Sequence, residues 1–224
     1  YKYSESAKAT ASIGDKILDK DSALTANGGV YKGSSANNYV RFKGDTTDWR
    51  IIKVNSDGSL TLIQNTSSVT SIWNASPIAY ESSSVYTYLN NTFYNSFAFK
   101  SSVIESSWCV GTYGNECGTT IRARAGLLST YDYRKASNDT RCENNVDYCN
   151  QGNYLASFTS GGSAEYTMTA NQDNSKIYTI KAGKIDGNTY APNNKLAVRP
   201  VITIKASAII NSGNGTSASP YIIS

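Results

Sequence analysis

The 224-residue chain contains no histidine, so it lacks the side chain that most often acts as general base, proton shuttle or metal ligand near neutral pH. Only 17% of the residues are charged, and the net charge of +4 comes from scattered lysines and arginines rather than a run or stripe. Nothing concentrated enough to neutralise a row of phosphates is present, which argues against nucleic-acid binding. No stretch approaches the roughly 18 apolar residues needed to cross a bilayer. The cysteines do not fall in the CxxC spacing of a zinc or thioredoxin site, and no EF-hand loop occurs. These gaps leave little for a catalyst or a metalloprotein to build on, and neither cofactor nor metal is expected.

What remains is a hydrogen-bonding surface over a real core. Hydrophobic residues make up 39% of the chain, while Ser, Thr, Asn, Gly and 17 tyrosines fill the polar positions. Tyrosine combines a rigid apolar ring with a polar tip, which suits strand surfaces and recognition patches alike. Four cysteines form two close pairs, Cys109 with Cys117 and Cys142 with Cys149. Local pairing is the natural reading, and a crossed pairing that staples the two loops together stays open. Either arrangement implies an oxidising compartment. The sequence starts at Tyr1, and a processed or trimmed ectodomain, contacting a membrane only through a removed N-terminal segment, is expected.

Along the chain, Ala7, Ala11, Ile13, Ile17 and Leu18 are spaced for a helix over Ser4–Leu24, either a stalk or a helix packed on its own domain. Residues 1–25 are thus set apart from a domain over 26–224. YVRF at 39–42, WRIIKV at 49–54 and LTLIQ at 60–64 read as strands, the last two joined by a turn at Asp57-Gly58. In SSVYTYLNNTFYNSF at 83–97, Val85, Tyr88, Leu89, Phe93 and Phe97 share one helical face. Strands return at 166–170, 176–181 and 196–205, with turns at Asp186-Gly187 and Pro192-Asn193-Asn194. Trp49, Leu62, Leu89, Phe93, Phe97, Leu127 and Val201 are the expected core.

Between Trp108 and Gly162 periodicity nearly vanishes, apart from AGLLS at 125–129, and all four cysteines lie there. Long irregular segments in compact domains are commonly functional. Of its acids and neighbours, Glu105, Glu116, Glu143, Asp147 and Glu165 stand singly, with no visible pairing for a glycosidase. Glu143-Asn144-Asn145-Val146-Asp147 gathers oxygen ligands that calcium would accept, but a plain polar loop is the simpler reading. Arg199, before Pro200, reads as a structural residue that fixes carbonyls or a carboxylate.

Five segments in order resemble a family of bacterial, Gram-positive-type surface domains with a C-type-lectin-like fold: WRIIKVNSDGSLTLI at 49–63, SSVYTYLNNTFYNSF at 83–97, AGLLSTYDYRKAS at 125–137, LAVRPVITIK at 196–205 and GNGTSASPYII at 213–223. Where that family often carries a tryptophan-rich segment, this chain has YLASFTSGGSAEYTMTA at 154–170, and the calcium and sugar motif of animal C-type lectins has only an imperfect echo at Ala191-Pro192-Asn193. The resemblance implies an α+β, C-type-lectin-like twisted antiparallel sheet with a helix and a long irregular, disulfide-braced loop region, the two termini meeting in one sheet. It also implies a cell-surface location, sometimes behind a prepilin-like helix. The expected function is a non-enzymatic adhesion module that binds a glycan or protein ligand, and the alternative is a pilin-like filament subunit whose partners are neighbouring subunits. For ligand contact, Trp108, Tyr113, Tyr131, Tyr133, Tyr148 and Tyr154 are the candidates.

Overall fold

The computed structural model describes residues 10–67, 69–74, 79–157, 164–173, 175–187 and 194–224. Strand β1 (Tyr39–Phe42) alternates half-buried and buried side chains, whereas β2 (Trp49–Val54) and β3 (Leu60–Gln64) bury nearly every one. A strand buried on both faces is Val/Ile/Leu-rich rather than alternating, as both of these are. The two pair antiparallel from Trp49 opposite Gln64 to Val54 opposite Leu60. Their turn is locked by Asp57, whose carboxylate accepts from the Ser59 amide at 2.9 Å and the Ser59 hydroxyl at 2.5 Å. Gly58 completes it at φ +79°, where a Cβ would also run into Ser12.

Ser12 belongs to the leading segment, which folds as two short helices, α1 (Ile13–Leu18) and α2 (Ser22–Ala26), rather than one. Each has its own N-cap: Ser12 forms a capping box with Asp15, and Asp21 accepts from the Leu24 amide at 2.9 Å. Residues 1–9 of the expected helix lie outside the described residues. Ile13 and Gly14 donate backbone hydrogen bonds to Ala206 and Gly58, and Ile13, Ile17 and Leu24 join the main hydrophobic core. Of the two arrangements expected for the leading segment, its described part thus takes the packed one rather than the stalk.

After β4 (Thr70–Ser71), Ser83 caps a helical run formed by α3 (Ser84–Thr87), a wider π-type turn over Tyr88–Phe93 and α4 (Tyr94–Ser96). Val85 and Leu89 are fully buried, while Tyr88, Phe93 and Phe97 pack half-buried against the core. Asn90 pins the run by accepting from the Arg124 and Ala125 amides, both at 3.0 Å, and by donating to the Ala125 carbonyl at 3.0 Å. Strands β5 (Val103–Ile104), β6 (Ser106–Cys109), β7 (Thr120–Ala123) and β8 (Ala125–Gly126) follow, then helix α5 (Thr130–Lys135). The last third supplies β9 (Ala164–Ala170), β10 (Ile177–Lys181), β11 (Lys184–Asp186), β12 (Leu196–Ala197), β13 (Val201–Ile204), β14 (Ile210–Ser212) and β15 (Tyr221–Ile223). Pro192 and Asn193 of the expected turn lie outside the described residues.

These strands form a large sheet in the order β14-β15-β1-β2-β3-β13-β5, with β8 also on β13, a second sheet β11-β10-β9-β12-β4, and the ribbon β6-β7. The closing strand β15 lies parallel to β1, so the last residues share a sheet with the first strand. The segment read as one strand over 196–205 divides at Arg199-Pro200: β12 joins the second sheet and β13 the large one. Proline has no amide to donate to a ladder, which suits this crossing point. Arg199 is buried there and holds Glu165 of β9 through two hydrogen bonds of 2.8 Å, so the structural role expected of it is met. The fold is α+β, mostly sheet with few short helices and two disulfides. Trp49, Leu62, Leu89, Leu127 and Val201 are buried as expected; Phe93 and Phe97 are only half-buried because they border a surface hollow.

Candidate functional site

The disulfides join Cys109 to Cys117 and Cys142 to Cys149, the local pairing. The first closes the β6–β7 ribbon. Next to it, Glu116 is 2% exposed and accepts from the Thr130 hydroxyl at 2.6 Å and from Arg134 Nη2 at 3.0 Å. Tyr113 stacks on Tyr178 of β10 with ring centroids 4.7 Å apart, and the Arg134 guanidinium lies 5.2 Å from the Tyr113 ring. Burial raises the hydroxyl pKa of both tyrosines.

Ser129 opens α5 by accepting from the Asp132 amide at 3.0 Å and donating to its carboxylate at 2.8 Å. Residues advance about 100° per position around a helix, so Tyr131 and Tyr133 face nearly opposite ways. Tyr133 is fully buried and its hydroxyl donates to the Gly183 carbonyl, whereas Tyr131 is 41% exposed with Lys135 Nζ 5.5 Å from its ring centroid. The second disulfide follows α5. Asp139 caps the turn Thr140–Glu143 and grips Arg141 Nε at 3.0 Å and Nη2 at 2.6 Å. Those bonds to Arg141 hold the Asp139 carboxyl below the usual carboxylate value. Arg141 in turn stacks on Tyr148 at 4.1 Å. Behind both, the buried Asn153 amide donates to the Tyr133 and Cys149 carbonyls, each at 2.8 Å, and ties α5 to the disulfide.

Three of the six expected contact residues are corrected by this arrangement. Trp108 is 6% exposed and donates to the Ala123 carbonyl at 3.0 Å; Tyr133 is buried as above; Tyr154 is 3% exposed and its hydroxyl donates to the Ile51 carbonyl at 3.3 Å. Large aromatic rings in a segment short of aliphatic residues become its core, with the polar tip satisfied by backbone. Tyr113, Tyr131 and Tyr148 remain at the surface.

Of these, Tyr131 borders a cleft of about 370 Å³ lined also by Lys32, Arg134, Lys135, Asn138 and Thr140. The acids Asp139 and Glu143 complete its rim, and Tyr131 also edges a second hollow of about 440 Å³ that reaches Asp57, Glu105 and Arg122. Lys32 arrives from a distant loop that is fixed by a 3.0 Å hydrogen bond from the Gly33 amide to the Ala136 carbonyl. No spacing in the sequence signals that union, since it is made by tertiary contact between residues a hundred positions apart.

Among the five singled-out acids, Glu116 and Glu165 are buried in ion pairs, Glu105 pairs with Arg122 at 2.8 Å, and Glu143 and Asp147 are exposed. Burial pushes the Glu165 carboxyl up against the opposing pull of Arg199. In the oxygen-rich loop, the Asn145 side chain already caps the Asp147 amide at 2.9 Å. No group of three or more acidic or cysteine side chains placed to hold a metal ion occurs among the described residues. No described helix is long and apolar enough to cross a membrane. The chain matches no family model, no curated protein and no solved structure.

Proposed function

We propose that this is a non-enzymatic binding module with a C-type-lectin-like fold, displayed by a bacterial surface protein, and that the Tyr131 cleft receives its ligand, a glycan or protein at the cell surface. The observation that carries the proposal is one exposed aromatic ring on a rigidly capped helix at the border of a 370 Å³ cleft, inside a disulfide-braced segment. An aromatic face flanked by amides and hydroxyls is how sugar rings and extended peptides are commonly held, and a braced loop limits the entropy lost on binding. The lectin-like reading draws support from the pairing of β15 with β1 and from a long irregular segment carried on a sheet. Two disulfides fit a compartment outside the reducing cytoplasm.

Ile13, Ile17 and Leu24 of the leading segment are part of the core, which supports a helix packed on its own domain over a free stalk. Screening the intact protein and its Tyr131→Ala variant on glycan and protein arrays is the test. A ligand that binds the parent and loses at least about tenfold with Tyr131→Ala is expected, as for removal of an exposed aromatic anchor. Arrays with no signal above background, or a ligand indifferent to Tyr131, would count against the cleft.

A further inference from the structure

The cleft carries more positive charge than its own acids answer. Neither Lys32 nor Lys135 makes an ion pair among the described residues. The charge of Arg134 is already answered by buried Glu116 at 3.0 Å, with its guanidinium over the Tyr113 ring. On the acidic side, Asp139 is neutralised by the two-pronged grip of Arg141. That leaves Glu143 as the lining acid without an ion pair among the described residues, against the ammonium groups of Lys32 and Lys135, which have none there either.

Beside these cations stand the exposed face of Tyr131 and the amide and hydroxyl of Asn138 and Thr140. The lining volume of about 370 Å³ is at the small end of ligand sites and matches one or two sugar rings. We infer that the cleft selects a saccharide whose ring bears a carboxylate: a uronic-acid type residue that sets its ring on Tyr131 and its carboxylate between Lys32 and Lys135. This rests on the binding-module reading above and narrows it to acidic glycans. A flexible peptide of Asp and Glu would meet the same cations but has no ring to place on Tyr131.

The test is a chemical-shift titration of the intact, isotope-labelled protein with D-glucuronate, with D-glucose as the neutral match and acetate as the bare anion. Glucuronate is expected to move the resonances of Tyr131, Lys135 and Asn138 at concentrations where glucose and acetate do not. Lys135→Gln should weaken it by about fivefold, and Glu143→Gln, which removes the facing negative charge, should tighten it by about twofold to fivefold, as for partly exposed charge pairs. A gain of affinity is a result that damage to the fold would not produce. Equal response to glucose overturns the inference while leaving a sugar-binding cleft. Equal response to acetate also overturns it, reducing the site to an anion patch. If none of the three moves these resonances, the inference falls, and the arrays decide separately whether the cleft binds anything else.

Discussion

Between Trp49 and Gln64 the chain runs as two paired strands whose side chains are nearly all buried, whereas between Ser106 and Ser157 it changes direction every few residues. In the first stretch Ile51, Leu60, Leu62 and Ile63 are fully buried, and polar side-chain bonds gather at the turn and around one buried arginine, Arg50, which donates to Asn38 Oδ1 and the Ala36 carbonyl. In the second, order comes from caps at Ser129 and Asp139, the buried pair Glu116–Arg134, the clamp of Asn153 and two short disulfide loops. Apolar burial is non-directional and tolerates surface change, while a polar network holds one geometry but fails when a single partner is lost. A scaffold of the first kind can carry a site of the second kind, in which the position of every polar group matters.

The contrast is broken most severely where the two sheets meet. Replacing Arg199 with Ala leaves the Glu165 carboxylate buried and alone, with an expected loss of about 3 to 5 kcal/mol. Denaturant unfolding measures it, and the double variant Arg199→Met with Glu165→Leu should recover most of the loss, since no charge is then stranded. In the large sheet, Leu62→Ala removes a fully buried side chain and should cost about 2 to 5 kcal/mol. By contrast, Phe93→Ala should fall below that range because the ring is half-buried. Equal losses for the two would show that the large sheet does not depend on burial as described.

A smaller and more local effect is expected from Cys142→Ser with Cys149→Ser. The loop closed is short, with a sequence separation of 7, so about 2 kcal/mol is expected. Amide exchange should quicken in 137–153 and stay unchanged in β2 and β3; uniform quickening would mean that the braced segment and the sheet unfold as one. The smallest effect concerns Asp139, whose carboxyl is held below its usual value of 3.8 by Arg141. A lowered folded-state pKa means that the stabilisation is present above the ordinary carboxylate value and is lost as the pH falls through the lowered one. Carbon-detected titration should find Asp139 still ionised at pH 3.8, with the Thr140–Glu143 turn loosening only below that. Titration at or above 3.8 would show that the grip of Arg141 is not kept in solution.

The hairpin could be read from the Asp57-Gly58 turn between two β-branched runs, and the helical patch after Ser83, β1 and β9 from apolar residues that recur with the period of the element they form. The disulfide partners were the natural reading of close spacing. The site was only partly legible. Six aromatic residues marked the segment that borders the Tyr131 cleft, but alternation around α5 sends Tyr133 inward and Tyr131 outward, and Trp108 and Tyr154 serve as its core. The breaks at Asp21 and at Arg199-Pro200 were also missed, because each depends on what the flanking residues pack against.

Composition and local pattern by themselves therefore determined an α+β chain with a β-rich core, an oxidised pair of loops and no histidine chemistry. These properties follow from residue type and near-neighbour spacing. Tertiary structure alone decided which tyrosine meets solvent, that Lys32 stands beside Lys135, and that Arg199 finds Glu165. Those unions join residues far apart in the chain, and burial and charge compensation between distant elements select them rather than any local preference.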